Sequence, residues 1–169
     1  KVLGFCLAAW FLALSVERNR IYRSGESFYR AAVSCNPLSA RAWSSLGAAL
    51  LLKGENEAGV AHLRRAIALD PGLGTPHYNL ARLAFAQGRL TEAREEVERA
   101  IKNAPGDVEA MVLSALVAER RGDLAGMRRG LEKALAVLPG HALARYNLGR
   151  YWLLVGRRDL AAAFLTPPQ

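Results

Sequence analysis

The chain has 169 residues, 51% hydrophobic and 22% charged, with a formal charge of +8. Five basic residues face two acidic ones over residues 1–35, and eighteen face thirteen over 36–169, so the excess is spread and no polybasic tail exists. Cys6 and Cys35 fit no metal-ligand spacing and no disulfide framework, and both read as small apolar residues.

Val2 to Val16 is fifteen residues without a charge. As a helix it spans only about 22 Å, short of the roughly 20 residues that cross a bilayer. Three readings are open: the end of a transmembrane helix, a buried first helix of a degenerate repeat with Leu12 and Ala13 in register, or a signal sequence. The first is preferred, which makes residues 1–17 a membrane attachment. Residues 18–39 form a degenerate half-repeat, in which Tyr29 and Ala32 take the inward positions of a second helix and Pro37 closes it.

From Ala40 the pattern becomes regular. Trp43, Leu46, Gly47 and Leu50 lie three and four apart, one stripe of a helix. Gly54 stands where the chain must turn, because glycine takes positive φ without a steric cost. Ala58, Leu63, Ala66 and Leu69 are the inward positions of the next helix, which Pro71 ends. The unit then recurs without insertion. Gly54, Gly88, Gly122 and Gly156 are each 34 residues apart, as are Ala66, Ala100 and Ala134, and Pro71, Pro105 and Pro139. Helix pairs are expected near 74–86 and 90–103, then 108–121 and 124–137. The last pair begins at 142–155, its second helix shortened by Pro167 and Pro168. Gly47, Ala81, Ala115 and Gly149 mark close helix contacts, and Leu46, Leu80 and Leu148 fill the space beside them. Ser114 breaks that leucine row, which predicts a looser third unit. The boundaries are 40–73, 74–107, 108–141 and an incomplete 142–169; with no initial methionine and an ending within a unit, a piece of a longer protein is expected.

The 34-residue period, the W-x2-L-G pattern at Trp43 to Gly47, the mid-unit glycine, the alanine and the proline resemble the tetratricopeptide repeat. The resemblance implies an all-α fold, a right-handed superhelical α-solenoid in which stacked helix pairs share one continuous core. A narrower likeness covers about thirty residues around the start of the array. Arg18, Asn19, Tyr22, Pro37, Ala40, Arg41, Leu46 and Gly47 are similar to the junction where the last membrane helix meets the repeats in transmembrane, tetratricopeptide-repeat-containing protein O-mannosyltransferases. That likeness implies a non-catalytic repeat region attached to a membrane enzyme, on the lumenal or periplasmic side. Arg18, Arg20 and Arg23 point the other way under the positive-inside tendency.

In this family the first helix of each pair lines a concave groove. The resemblance therefore assigns ligand contact to Ser44, Ser45 and Ala48, to Tyr78, Asn79, Arg82 and Phe85, to Val112, Leu113, Leu116 and Glu119, and to Tyr146, Asn147, Arg150 and Leu153. The segments YNLAR at 78–82 and YNLGR at 146–150 repeat each other. Asparagine both donates to and accepts from a peptide backbone, arginine offers a forked donor to carboxylates, and tyrosine adds rigid contact area. A peptide or protein ligand is thus expected, and the common repeat consensus is the competing explanation.

No catalytic constellation, phosphate loop or cofactor motif occurs. His62, His77 and His141 lie in different units without ligand spacing. Glu92, Glu95, Glu96 and Glu98 alternate with Arg94 and Arg99, a solvated helix face. Arg64-Arg65, Arg120-Arg121, Arg128-Arg129 and Arg157-Arg158 raise a nucleic-acid reading, but they occupy different places in the unit and make no single stripe. Binding without catalysis is the expectation.

Overall fold

The computed structural model describes residues 25–165, and among them it contains nine helices and no strand. Val2–Val16 and Cys6 lie outside these residues, as do Pro167 and Pro168. The chain divides into two compact units, Lys1–Pro71 and Gly72–Gln169.

The described part of the first unit holds α1 (Gly25–Cys35), α2 (Ala40–Leu52) and α3 (Asn56–Leu69). Ser39 starts α2, its side chain accepting from the Ala42 amide at 3.2 Å. Trp43 sits one turn in and donates its ring N–H to the Pro37 carbonyl at 2.8 Å, so the loop before the helix is fixed to it. Glu26 of α1 pairs with Lys53, the residue that ends α2. The α2–α3 hairpin closes at a point without side chains. A Cβ added to Gly47 would lie 2.8 Å from the Gly59 carbonyl oxygen, and one on Gly59 would lie 3.0 Å from that of Gly47. This crossing corrects the inward reading of Ala58, which is exposed while its neighbour Gly59 is buried. Leu46, Leu50, Leu63 and Ala66 form the core beside it. Cys35 is exposed rather than packed as a small apolar residue.

The second unit holds α4 (Gly74–Ala86), α5 (Leu90–Asn103), α6 (Val108–Arg120), α7 (Leu124–Val137), α8 (Ala142–Leu154) and α9 (Arg158–Leu165). They pair as α4/α5, α6/α7 and α8/α9, and successive pairs also touch through α5/α6 and α7/α8. Ala100 and Ala134 are 0% exposed, as Ala66 is in the first unit, so the 34-residue alanine row is an inward row. Ala81, Ala115 and Gly149 are buried opposite the second helices. Leu80 and Leu148 are buried too, and Ser114 in the same row is only partly so.

The turns share one mechanism across both units. Gly54, Gly88, Gly122 and Gly156 have φ between 74° and 84°, the left-handed region. The residue after each glycine donates back to a carbonyl five positions earlier: Glu55 to Leu50 at 3.0 Å, Arg89 to Ala84 at 2.9 Å, Asp123 to Ala118 at 2.9 Å and Arg157 to Trp152 at 2.8 Å. That bond satisfies a helix-end carbonyl and reverses the chain. A side chain at any of the four positions would strain the backbone without touching a neighbour, since nothing lies within 4 Å of the added Cβ.

Candidate functional site

The first helices of the second unit, α4, α6 and α8, carry most of the residues the sequence assigns to ligand contact. A helix presents residues four apart on one face, and Tyr78 and Arg82 use that spacing. The Arg82 guanidinium lies 5.7 Å from the Tyr78 ring centroid. One turn further along the face, Phe85 is covered by Arg120 of α6 at 4.9 Å. Such cation–ring contacts contribute about 0.5–1 kcal/mol each where water still reaches them. Arg82 and Arg120 are exposed and make no ion pair among the described residues, while Tyr78, Phe85 and Leu116 are partly buried. Burial pushes the Tyr78 phenol above its ordinary value; the Arg82 charge opposes this, and Glu109 and Asp107 add to it. The phenol is therefore a neutral donor throughout the physiological range.

The second Tyr-Asn-Arg segment is wired differently. Tyr146 is 54% exposed and makes no described ring contact with Arg150. Arg150 instead donates one nitrogen to Asn147 Oδ1 at 2.9 Å and the other to Glu119 Oε1 of α6 at 2.8 Å. Its charge is already matched by Glu119. The two segments, alike in sequence, thus present a free guanidinium at Arg82 and a neutralised one at Arg150.

Several expectations are corrected by burial. Asn79 and Asn147 are 7% and 2% exposed, and their Nδ2 groups donate to the carbonyls of Thr75 at 3.0 Å and Leu143 at 2.8 Å, four residues earlier in their own helices. They brace the first turn of α4 and α8 instead of standing free for a ligand backbone. Val112 and Leu113 belong to the core, so Leu116 and Glu119 are what α6 offers to solvent on this face. In the first unit Ser44 is buried with its hydroxyl unpartnered, whereas Ser45 and Ala48 are partly buried. Leu153 is exposed.

Sequence reasoning missed Arg120. It read the residue as half of a basic doublet, yet Arg120 lies over Phe85 and Arg121 follows as the cap of α6. The available signal was its position beside Glu119, one period after the Phe85–Ala86 end of α4. The three histidines are structural. His62 stacks on Trp43 with centroids 5.1 Å apart, His77 Nδ1 lies 2.7 Å from Glu96, and His141 accepts from the Ala144 amide at 3.2 Å as the cap of α8. Among the described residues no three His, Cys, Asp or Glu side chains gather as a metal site, and no helix is long and apolar enough to cross a membrane.

Comparison with known proteins agrees with the helix pairing. Tetratricopeptide-repeat family models match residues 8–73 and 50–119. Human protein O-mannosyl-transferase TMTC1 is 38% identical over 80 residues, 47% of this chain and 9% of that protein, so the chain spans a small part of that relative. Among solved structures, PilF of Pseudomonas aeruginosa superposes with a TM-score of 0.76 at 17% identity, over 92% of this chain and 72% of its own. YrrB, described as a tetratricopeptide-repeat protein with an unusual peptide-binding site, superposes with a TM-score of 0.64 at 22% identity, over 92% and 79%.

Proposed function

This chain belongs to the tetratricopeptide-repeat family, and from that premise we propose that it is a non-catalytic scaffold whose first-helix face in the second unit holds a peptide segment. The observation that carries the reading is the pair of aromatic rings on α4, Tyr78 and Phe85, each covered by an arginine without a carboxylate partner. Side chains held in this way present little conformational entropy to lose on binding, and their guanidiniums remain available as forked donors. An acidic segment suits them: carboxylates take Arg82 and Arg120, and Leu116 with Tyr146 supplies apolar contact. The peptide-binding site named for YrrB supports a peptide as the ligand class. The neutralised Arg150 makes the α8 end a contact surface of lower charge.

The test is selection from a displayed random-peptide library on the full chain, followed by direct binding of the enriched peptides. Enrichment of acidic sequences, with affinity lost at least tenfold in Tyr78→Ala/Arg82→Ala, is the expected result, a loss of about 1.4 kcal/mol or more. Enriched peptides that bind this variant as they bind the parent would end the proposal.

The setting follows from a second observation, the 38% identity to a protein O-mannosyl-transferase over 80 residues. It supports the chain as the repeat region of an enzyme of that kind, tethered to a membrane through residues 1–17. The family match that starts at residue 8 favours a repeat helix for part of that stretch instead. Flotation with phosphatidylcholine vesicles separates the two: the tether predicts that the full chain floats, and a chain that stays in the dense fraction refutes it.

A further inference from the structure

Three of the four helix pairs carry a cross-helix contact between two positions nineteen residues apart, and the α6/α7 pair does not. Trp43 stacks on His62, His77 bonds Glu96, and the Arg145 guanidinium lies 6.0 Å from the Phe164 ring centroid. The corresponding residues in the α6/α7 pair are Met111 and Gly130, so the second helix offers no side chain there. Ser114, in the row otherwise filled by Leu46, Leu80 and Leu148, removes a second group from the same neighbourhood. Gly130 backs closely onto Ala115, where an added Cβ would lie 3.0 Å from the Ala115 Cβ. A cleft of about 470 Å³ lies beside this crossing, lined by Ser114, Gly130 and Ile101 over the buried Met111 and Val117.

The rim of this cleft is charged. Arg94 and Glu98 neutralise each other at 2.7 Å, and Asp123 is engaged in capping α7 through the Gly126 amide at 2.7 Å. Arg121, Arg129 and Lys133 line the same cleft without an ion-pair partner among the described residues. An apolar notch beneath three unmatched cations is complementary to one apolar side chain carried between carboxylates. Met111 lies at the floor, 7% exposed, so the apolar contact open to a ligand comes chiefly from the partly buried Ile101 and the rim of Ser114. A nucleic acid fits less well, since the notch has no aromatic platform for a base.

We propose that the α5/α6/α7 cleft is a second peptide site, separate from the Tyr78–Arg120 face, that takes an acidic segment with one aromatic residue seated over Ile101 and Ser114.

The experiment titrates the full chain into a fluorescein-labelled Asp-Glu-Phe-Glu-Asp peptide, its counterpart with alanine at the centre, and a labelled uridine decamer. The parent should bind the phenylalanine peptide at least tenfold more tightly than the alanine one. Ser114→Leu restores the side chain of the other pairs, so it should keep the fold and weaken the phenylalanine peptide at least tenfold. Arg129→Ala/Lys133→Ala should weaken it comparably, with every measurement repeated in the Tyr78→Ala/Arg82→Ala background, which removes the first-helix face so that the binding left is that of the cleft. Three results in the Tyr78→Ala/Arg82→Ala background would overturn the proposal: no binding at millimolar concentration, equal binding of the two peptides, or indifference to Ser114→Leu. Tighter binding of the uridine decamer than of the peptide would also overturn it, in favour of a phosphate-binding surface.

Discussion

Asn147→Ala should destabilise the second unit, although the same residue in sequence reads as a free groove donor. Its side chain is 2% exposed and makes two bonds. The Nδ2 group reaches the Leu143 carbonyl at 2.8 Å, and Oδ1 accepts from Arg150 at 2.9 Å. A neutral bond contributes about 0.5–1.5 kcal/mol net, and one to a charged group somewhat more. Arg150 is partly open to water and keeps Glu119, so its loss is discounted, and the total is about 1–3 kcal/mol. For a chain of this size that corresponds to a melting shift of roughly 2–12 °C. Asn79→Ala, with one described bond at 3.0 Å, should cost less, about 0.5–1.5 kcal/mol. Urea titration followed by helical circular dichroism measures both, and the double variant Asn147→Ala/Arg150→Ala isolates their coupling. If Asn147→Ala unfolds with the parent, or Asn79→Ala costs more, the bracing role assigned to these side chains is wrong.

Three further outcomes follow from packing and charge. Ala100→Leu places three extra carbons at a residue that is 0% exposed and should cost about 1–3 kcal/mol, measured by the same urea titration. Gly47→Ala brings a Cβ to 2.8 Å of the Gly59 carbonyl, so the clash should outweigh the roughly 1 kcal/mol gained in helix propensity, and the variant should melt below the parent. His62 has its pKa lowered below the ordinary value near 6.5, first by burial and then by the Arg30 charge. The stabilisation from keeping it neutral is present above the unfolded value and is lost as pH falls through the lower folded value. Proton NMR of the ring should show a midpoint below 6.5, together with a change in Trp43 fluorescence over the same range.

What was legible in the sequence is what the period encodes. The glycines, alanines and leucines that recur every 34 residues each do one geometric job, so Ala66, Ala100 and Ala134 read as inward from the period alone. Ala58 misled because a small residue one place from a helix crossing looks like the crossing itself, and only the approach of Gly47 to Gly59 decides between neighbours. The ligand face was less legible because exposure depends on partners from other helices. Asn79 and Asn147 look free in a one-dimensional pattern, but the first turn of a helix supplies carbonyls that capture them. Arg82 and Arg150 occupy equivalent positions, and what separates them is Glu119, which reaches Arg150 from the preceding pair. The missing Met111 partner was visible only as Ser114 in a row of leucines, half of the signal; Gly130 became informative once the cross-helix pairs were known.

The most direct test of a peptide-binding first-helix face is amide and side-chain NMR of the chain with a selected acidic peptide, recorded in the Ser114→Leu background so that the α5/α6/α7 cleft is filled. The account predicts shift changes concentrated at Tyr78, Arg82, Phe85, Leu116 and Arg120, continuing toward Tyr146. Changes confined to α5 and α7, with α4 and α6 silent at those residues, would contradict it.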